Sequence, residues 1–385
     1  MSSEATLGVQ STAESQALYM ALELSDTTWK VLFACGAGKR RERNVKARDF
    51  RGLVEEVQAA KARFGLPADA RVVSVHEAGR DGFWLHRALL LQGIDNHVID
   101  SSSIEVPRRM RRRKTDRVDV IKLLGLLLRW SGGERGVMSV VRAPTPEAED
   151  VRQLSRTIER LKAEHGRHVT RMKALLATQG VKLSKVGGAD WARRVGELRT
   201  FEGKPLGRWL QVDLGLEGQR LALLADQLAR VKRERDAMIR DAKEGAALKA
   251  RQLMRLGAIS WESSFVFATE VFGWRTFANR RELAGSVGLV PTPYQSGGTN
   301  REQGLSKAGN PRMRTMLVEI AWCWLRYQGE SALARWWQGR FAQGGKRARK
   351  VGLVALARKL LVAMWRYLEH GIVPEGATLK REVAA

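Results

Sequence analysis

Two stretches of the chain repeat apolar residues at alternating steps of three and four, and this spacing is the strongest constraint on the fold. The first stretch has its repeated positions at Val151, Leu154, Ile158, Leu161, His165, His168, Met172 and Leu175. The second has them at Leu221, Leu224, Leu228, Val231, Arg235 and Met238. This spacing places side chains along one stripe of a helix, as in the seam of a coiled coil. It predicts two long antiparallel helices, in which His165 and His168 set the register and are not metal ligands.

The chain ahead of these helices alternates candidate strands with candidate helices. The predicted strands lie at 19–24, 29–35, 41–46, 71–77 and 96–100, and the predicted helices at 50–64 and 83–92. A further helix carries Val120, Leu123, Leu124 and Leu127 at helical spacing. This order of elements predicts an α/β layer with helices packed on a sheet, whose charged third strand lies at an edge.

Four acidic residues fall where such a layer would bring them together. Glu23 lies at the end of the first strand, Glu77 ends the fourth, and Asp116 and Asp119 begin the helix after the last strand. Groups at the carboxyl ends of strands face a common crevice. Clustered carboxylates suit Mg²⁺ or Mn²⁺, which stabilise the attacking and leaving oxygens of phosphoryl transfer. The alternatives are a strand-edge acid for Glu23, and a favourable interaction with the helix dipole for the two aspartates.

The net charge of +26 comes from 67 Lys and Arg against 41 Asp and Glu, and it is spread along the chain. This excess indicates a polyanionic partner such as nucleic acid, because cations that displace counterions supply much of the affinity for it. The densest basic run, predicted to contact the nucleic-acid backbone, is Arg108, Arg109, Arg111, Arg112, Arg113 and Lys114. The alternative is that these residues are solvated surface cations. We expect no membrane association, since no signal peptide and no apolar run of about 18 residues is present. Two distant cysteines fit a reduced cytoplasm.

A segment rich in glycine, proline and hydroxyl residues at 284–311 is predicted to form a long ordered loop between helices. Ser296 precedes Gly297 and Gly298, which would let another backbone approach closely. Ser296 is therefore a candidate nucleophile, and the alternative is a serine that only shapes a turn. The cations predicted to bind phosphate around it, and in a later basic loop, are Arg301, Lys307, Arg312, Arg314, Lys346 and Arg347.

Four motifs together resemble one family: His76 to Gly79, Lys114 to Asp119, Gly288 to Gly297, and Ser306 to Asn310. Over residues 18–370 the chain is similar to the DEDD-type insertion-sequence transposases related to the Piv DNA invertase, a group that includes bridge-RNA-guided serine recombinases. The resemblance implies an α/β + α architecture with a mixed sheet in a RuvC-like (RNase H-like) domain. The resulting domain prediction is a tail at 1–16, the RuvC-like domain at 17–143, an antiparallel coiled-coil arm at 144–251, a mainly helical domain at 252–375 and a tail at 376–385.

The resemblance also implies a reaction, a cofactor and partners. By motif position the ligands of Mg²⁺ or Mn²⁺ are Glu23, Glu77, Asp116 and Asp119, and Ser296 attacks DNA. Glu23 departs from the aspartate of the family, and its extra methylene shifts the oxygen. The implied partners are double-stranded DNA of the element ends and target, a guide RNA, and further copies of the chain in a dimer or tetramer, in the bacterial cytoplasm at the nucleoid. Two alternatives remain: a junction nuclease that uses only the carboxylates, and an inactive nucleic-acid-binding relic.

Overall fold

The structure is a computed structural model that describes residues 17–36, 38–79, 81, 83–100, 116–296, 299–307 and 309–380. Internal contacts divide the chain into two compact units, with the boundary between Ala143 and Pro144. The predicted tail at 1–16 and the basic run from Arg108 to Lys114 lie outside the described residues. Within the part that is described, no helix is both long enough and apolar enough to cross a bilayer.

The first unit contains a five-stranded mixed sheet. Its elements are β1 (Leu18–Glu23), β2 (Thr28–Cys35), β3 (Lys39–Lys46), α1 (Phe50–Phe64), β4 (Val72–Glu77), α2 (Trp84–Leu91), β5 (Asp95–Ile99) and α3 (Asp116–Ser131). The strand order is β3-β2-β1-β4-β5, with β1–β2 and β2–β3 antiparallel and β1–β4 and β4–β5 parallel. The predicted α/β layer is confirmed, and the charged strand β3 lies at one edge.

The two faces of this sheet have separate cores, because successive side chains of a strand point to opposite sides. Leu18, Met20 and Leu22 of β1 belong to the core that includes residues of α1 and α2. Ala21 of β1 belongs to the other core, together with Val75 of β4 and residues of α3. The face on which α3 packs is the one that matters for the predicted acidic site.

The second unit is mainly helical in its described residues, with one β-hairpin. Its elements are α4 (Pro146–Ala177), α5 (Trp191–Glu197), α6 (Arg208–Arg240), α7 (Gly245–Met254), α8 (Trp261–Phe267), a π-helical turn (Ala268–Phe272), α9 (Arg280–Ser286), β6 (Pro291–Ser296), β7 (Thr299–Leu305), α10 (Pro311–Tyr327), α11 (Ala332–Phe341) and α12 (Lys346–His370). Residues 376–380, which belong to the predicted tail, contact other parts of this unit: Leu379 pairs with Leu256, and the Thr378 carbonyl accepts from Gln328.

The two long helices predicted from the three-and-four spacing are α4 and α6, and they pack against each other. Thr145 caps α4 by accepting a hydrogen bond from the Ala148 amide at 3.2 Å, and Pro146 occupies the first turn. His168 of α4 lies 2.5 Å from the buried carboxylate of Glu217 on α6. Burial by itself would raise the pKa of Glu217, but hydrogen bonds from His168 and Arg220 lower that pKa below its ordinary value. His168 therefore pairs across the two helices.

Candidate active site

Glu23 and Glu77 end neighbouring parallel strands. The register pairs Leu22 of β1 with His76 of β4, so the next residue of each strand, Glu23 and Glu77, continues the pair at the carboxyl edge. Both glutamates are half-buried. By alternation they share a sheet face with Ala21 and Val75, which is the face covered by α3. The sheet thus brings two of the four predicted acids to one place.

The other two predicted acids lie at the start of α3, which begins at Asp116. Val120 and Leu123, on the turn that follows, are buried against the sheet face that includes Ala21. The Asp119 carboxylate is half-buried and accepts from the Lys122 ammonium at 3.3 Å. The side chain of Asp116 lies outside the description. Among the side chains that are described, no three of His, Cys, Asp or Glu form a group able to hold a metal ion.

Behind Glu77, on the opposite face of β4, lies a buried polar network that the sequence reasoning missed. The Ser74 hydroxyl donates to Asn96 Oδ1 at 2.6 Å, so the Asn96 amide nitrogen faces both histidine rings. Asn96 Nδ2 lies 3.3 Å from His76 Nδ1 and 2.9 Å from His86 Nδ1. Asn96 therefore donates to both rings, and each neutral ring carries its proton on Nε2. The available signal was two polar residues, Ser74 and His76, among the valines of β4.

His76 is held neutral by its surroundings. Burial lowers the pKa of His76 to about 4, and the neighbouring His86 lowers it further. Its Nε2 is buried and has no hydrogen-bond partner among the described atoms. Burial is also the main cause that lowers the pKa of His86. His76, the residue before Glu77, is thus an uncharged side chain of β4 that is hydrogen-bonded to Asn96 of β5.

The predicted loop around Ser296 is a two-stranded antiparallel hairpin, β6–β7, here called the serine hairpin. Ser296 pairs with Thr299 at its closed end, and Pro291 pairs with Leu305 at its open end. The predicted long ordered loop thus contains a hairpin, because prolines are compatible with a two-stranded ribbon, which has only edge strands. Ser296 is described by its backbone, and its side chain, like that of Arg301, lies outside the description.

The serine hairpin is anchored at its open end by main-chain contacts. The Ser306 amide donates to the Val290 carbonyl at 2.9 Å, and the Asn310 amide donates to the Ser286 carbonyl at 3.2 Å. Gly309 has a φ of 87°, and a Cβ at this position would lie 2.3 Å from the Ser286 oxygen. Only glycine fits such a close approach in the left-handed region. The Asn310 side chain then caps α10 by accepting from the amides of Arg312 and Met313.

The cations predicted to bind nucleic acid have different surroundings. Lys307, Lys346 and Arg347 are exposed. Arg314 donates to the Val287 carbonyl at 3.0 Å. Arg312 is mostly buried: it pairs with Glu159 at 2.6 Å and with Glu270 at 3.4 Å. Their contact with nucleic acid remains a prediction, and for Arg312 and Arg314 these internal bonds compete with it.

Glu270 is the centre of a charged cluster that the sequence reasoning also missed. It lies in the π-helical turn, its side chain is 3% exposed, and it pairs with Arg152 and Arg156 of α4 at 3.2 Å each and with Arg312 of α10. A π-helical turn is uncommon and often lies at a functional site. The signal in the sequence was one acid inside an apolar run, Phe265 to Phe272. The cluster joins α4 to the helix that follows the serine hairpin.

Known proteins match this chain over most of its length. A family model described as the transposase IS116/IS110/IS902 family matches residues 250–338, which include the serine hairpin. The predicted transposase y4rJ of Sinorhizobium fredii is 43% identical over 378 residues, which cover 94% of this chain and 95% of the relative. The transposase for insertion sequence element IS1111A of Coxiella burnetii is 24% identical over 303 residues, 77% of each chain. That for IS1328 of Yersinia enterocolitica is 26% identical over 235 residues, 60% of this chain and 66% of the relative.

These similarities show that the protein is a DNA transposase, an enzyme that transfers DNA strands. Within that class, the chain belongs to the IS116/IS110/IS902 family of insertion-sequence transposases.

Proposed function

We propose that this transposase breaks and rejoins DNA with Ser296 as its nucleophile, assisted by a Mg²⁺-binding site made of Glu23, Glu77, Asp116 and Asp119. The proposal places the chain in the DEDD-type, Piv-related group of serine recombinases. The observation that carries it is the adjacency of Glu23 and Glu77 at the carboxyl edge of two parallel strands, on the face covered by the helix that begins with Asp116.

The donor set suits a hard divalent cation, because carboxylate oxygens are the ligands that Mg²⁺ and Mn²⁺ prefer. Glu23 and Glu77 provide two such groups on one edge. One oxygen of the Asp119 carboxylate, Oδ1, lies 3.3 Å from the Lys122 ammonium, which would compete with a metal ion for that oxygen. When bound, the metal would supply charge stabilisation to the oxygens around phosphorus. The two glutamates fit this function, while the full ligand set of four remains part of the proposal.

The chemistry proposed for Ser296 is a two-step exchange at phosphorus. The serine oxygen forms a bond to the scissile phosphorus as the bond to one deoxyribose oxygen breaks, and the proton of the serine passes to that leaving oxygen. A hydroxyl of the partner strand then attacks the phosphoserine, and the serine recovers a proton. The number of phosphodiester bonds is conserved, so the strands exchange without net hydrolysis.

Larger features of the fold belong to the same proposal. The order β3-β2-β1-β4-β5, in which β2 alone runs opposite to the other four strands, supports a RuvC-like domain. The pairing of α4 with α6 supports a coiled-coil arm through which copies of the chain assemble as a dimer or tetramer. The net charge of +26 supports contacts with both double-stranded DNA and a guide RNA. The enzyme would act in the cytoplasm, on nucleoid DNA.

The test is to trap covalent protein–DNA adducts with element-end DNA and the transcript that flanks the gene, and to map the linked residue by mass spectrometry. We expect the adduct at Ser296, and its loss in Ser296→Ala. Ser306→Ala is the matched control, since this exposed serine lies just beyond the hairpin and should keep the adduct. Glu77→Gln should remove the adduct without weakening DNA binding.

Three outcomes would contradict the proposal. Metal-dependent cleavage that persists in Ser296→Ala would identify a junction nuclease. If the protein binds DNA but cleaves no end sequence, and Glu23→Asp restores cleavage, the natural chain is a partly inactivated enzyme. An adduct that forms without the flanking transcript would remove the guide RNA from the proposal and leave the serine chemistry intact.

A further inference from the structure

One end of the α4–α6 pair exposes an aromatic side chain beside an open cavity. The connection and the first turn of α6, residues 178–209, are called the tip segment here. Phe201 lies in a tight turn, in which the Thr200 amide donates a hydrogen bond to the Lys204 carbonyl at 2.8 Å. The Phe201 side chain is 79% exposed. The Phe201 amide donates to the Gln179 carbonyl at 3.0 Å. The turn leaves the phenyl ring in solvent, where covering it with a ligand would be favourable.

Phe201 packs against the wall of this cavity. A Cβ on Gly180 would lie 2.7 Å from Phe201 Cβ, and the φ of Gly180 is 75°, so glycine lets the turn approach here. Gly180 lines a cavity of about 850 Å³ together with Lys173, Lys182 and Ser184. No acidic residue lines it within the described chain. Phe201 thus lies next to Gly180, which lines a cavity whose charged side chains, Lys173 and Lys182, are both cationic.

The tip segment as a whole has a surplus of positive charge. It contains seven Lys and Arg against three acids, and each of the three acids is already paired. Asp190 and Glu197 pair with arginines of α5, and Glu202 pairs with Lys204 at 2.7 Å. Within the described chain, Lys182 and Lys185 make no ion pair with an acid. These cations are therefore available to a polyanion.

A second exposed aromatic lies in the same segment. Trp209 in the first turn of α6 is 75% exposed, and the Arg208 guanidinium lies 5.2 Å from its ring centroid. Exposed rings interleaved with unpaired cations are the usual composition of a surface that binds single-stranded nucleic acid, in which bases stack and phosphates pair with cations. Phe201 and Trp209 provide two stacking surfaces, and Lys182, Lys185 and Arg208 provide charge.

We propose that the tip segment binds an unpaired segment of DNA, with bases stacked on Phe201 and Trp209 and phosphates on Lys182 and Lys185. The choice of DNA rests on the established class, because strand transfer separates DNA strands. The proposal does not depend on Ser296 or on the acidic residues. A purely apolar protein partner would not use the surplus charge beside these rings, whereas a nucleic acid strand uses both.

The test uses the full-length protein and an oligothymidine that carries a photoreactive thymine, with excess duplex DNA to suppress general electrostatic binding. We expect crosslinks in peptides that contain Phe201 or Trp209. Phe201→Leu should weaken oligothymidine binding roughly tenfold, because stacking is lost although an apolar side chain remains. Phe201→Tyr should bind as the natural chain does. Tyr327→Leu is the matched control, since Tyr327 is also exposed and next to an arginine, Arg326.

Other results would overturn the proposal. Equal binding by Phe201→Leu and Phe201→Tyr would show that no base stacks on this ring. Crosslinking of oligouridine but not oligothymidine would show that the surface takes RNA. A lower oligomer mass for Phe201→Ala by light scattering, with unchanged binding, would show a contact between copies of the chain. Ser296→Ala should keep the crosslink, which separates failure here from failure of the serine chemistry.

Discussion

The first unit, around the sheet edge that carries Glu77, and the second unit, around the helix that follows the serine hairpin, contain different kinds of buried polar group. Behind Glu77 the network of Ser74, Asn96, His76 and His86 is neutral, and it joins two adjacent parallel strands. Beside the serine hairpin the cluster around Glu270 is charged, and it joins helices that are far apart in the sequence. The first is a set of hydrogen bonds inside a sheet, and the second is a set of ion pairs that hold helices together.

This difference has physical consequences for each unit. A neutral buried network is insensitive to salt, but it fails when a proton converts one histidine to a buried cation. The ion-pair cluster of one buried carboxylate with three arginines depends on the carboxylate, because its removal would leave buried positive charge without a partner. The first unit should therefore respond to pH through His76, and the second unit should respond to loss of Glu270.

The largest expected effect is that of Glu270→Ala. Removal of this 3%-exposed carboxylate leaves Arg152 and Arg312 largely buried without their shared acid. The free energy of unfolding of the second unit should fall by about 3–5 kcal/mol in chemical denaturation. Glu262→Ala is the control, because the pair of Glu262 with Lys162 is exposed and its loss should have an effect of about 1 kcal/mol or less. Equal losses of unfolding free energy in the two variants would show that the Glu270 cluster contributes no more to stability than an exposed ion pair.

Gly309→Ala tests the main-chain anchor of the serine hairpin. A Cβ would lie 2.3 Å from the Ser286 oxygen at a φ of 87°, so the hairpin base must shift. We expect a loss of stability of about 2–4 kcal/mol, from the left-handed backbone and the clash together. Gly304→Ala has a φ of 90° but nothing within 4 Å, and it should show only the backbone effect of about 1–2 kcal/mol. Thermal unfolding and adduct formation are the measurements.

The first unit should lose stability in acid because of His76. The pKa of His76 is about 4 in the fold and 6.5 when it is free, so the unfolded chain binds the proton first as the pH falls. This contribution is complete above pH 6.5 and is lost as the pH approaches 4, a change of about 3 kcal/mol. Burial lowers the pKa of His86 as well, which adds the same sign. Denaturation of His76→Gln across this range should show a shallower dependence, and an unchanged slope would contradict the assignment.

The smallest effect is expected for Asn96→Ala. Its amide serves Ser74, His76 and His86, so its loss leaves buried groups without partners. The free energy of unfolding should fall by about 1–3 kcal/mol. Asn44→Ala, which removes an exposed contact with Lys30, should change it very little. If the network also positions Glu77, direct Mn²⁺ binding by calorimetry should weaken in Asn96→Ala and remain unchanged in Asn44→Ala.

The sequence predicted the elements of the fold better than it predicted the residues that hold them together. The strands, the two long helices and the edge position of β3 followed from periodicity and charge. The hairpin around Ser296 did not, because its prolines and glycines are as typical of an irregular loop as of a two-stranded ribbon. The pairing of Glu23 with Glu77 was expected from strand ends, while the ligand function of all four acids remains a prediction.

Periodicity along the chain determined which segments are helices and strands, because the repeat of a helix or strand is a property of consecutive residues. The tertiary structure decided which residues meet. Asn96 joins His76 over 20 positions, and Glu270 joins Arg156 over 114 positions. Such contacts depend on how distant segments cross, and an isolated polar residue in an apolar run does not specify its partner. The sequence therefore indicated where unusual polar residues lie, and only the folded chain showed what they bind.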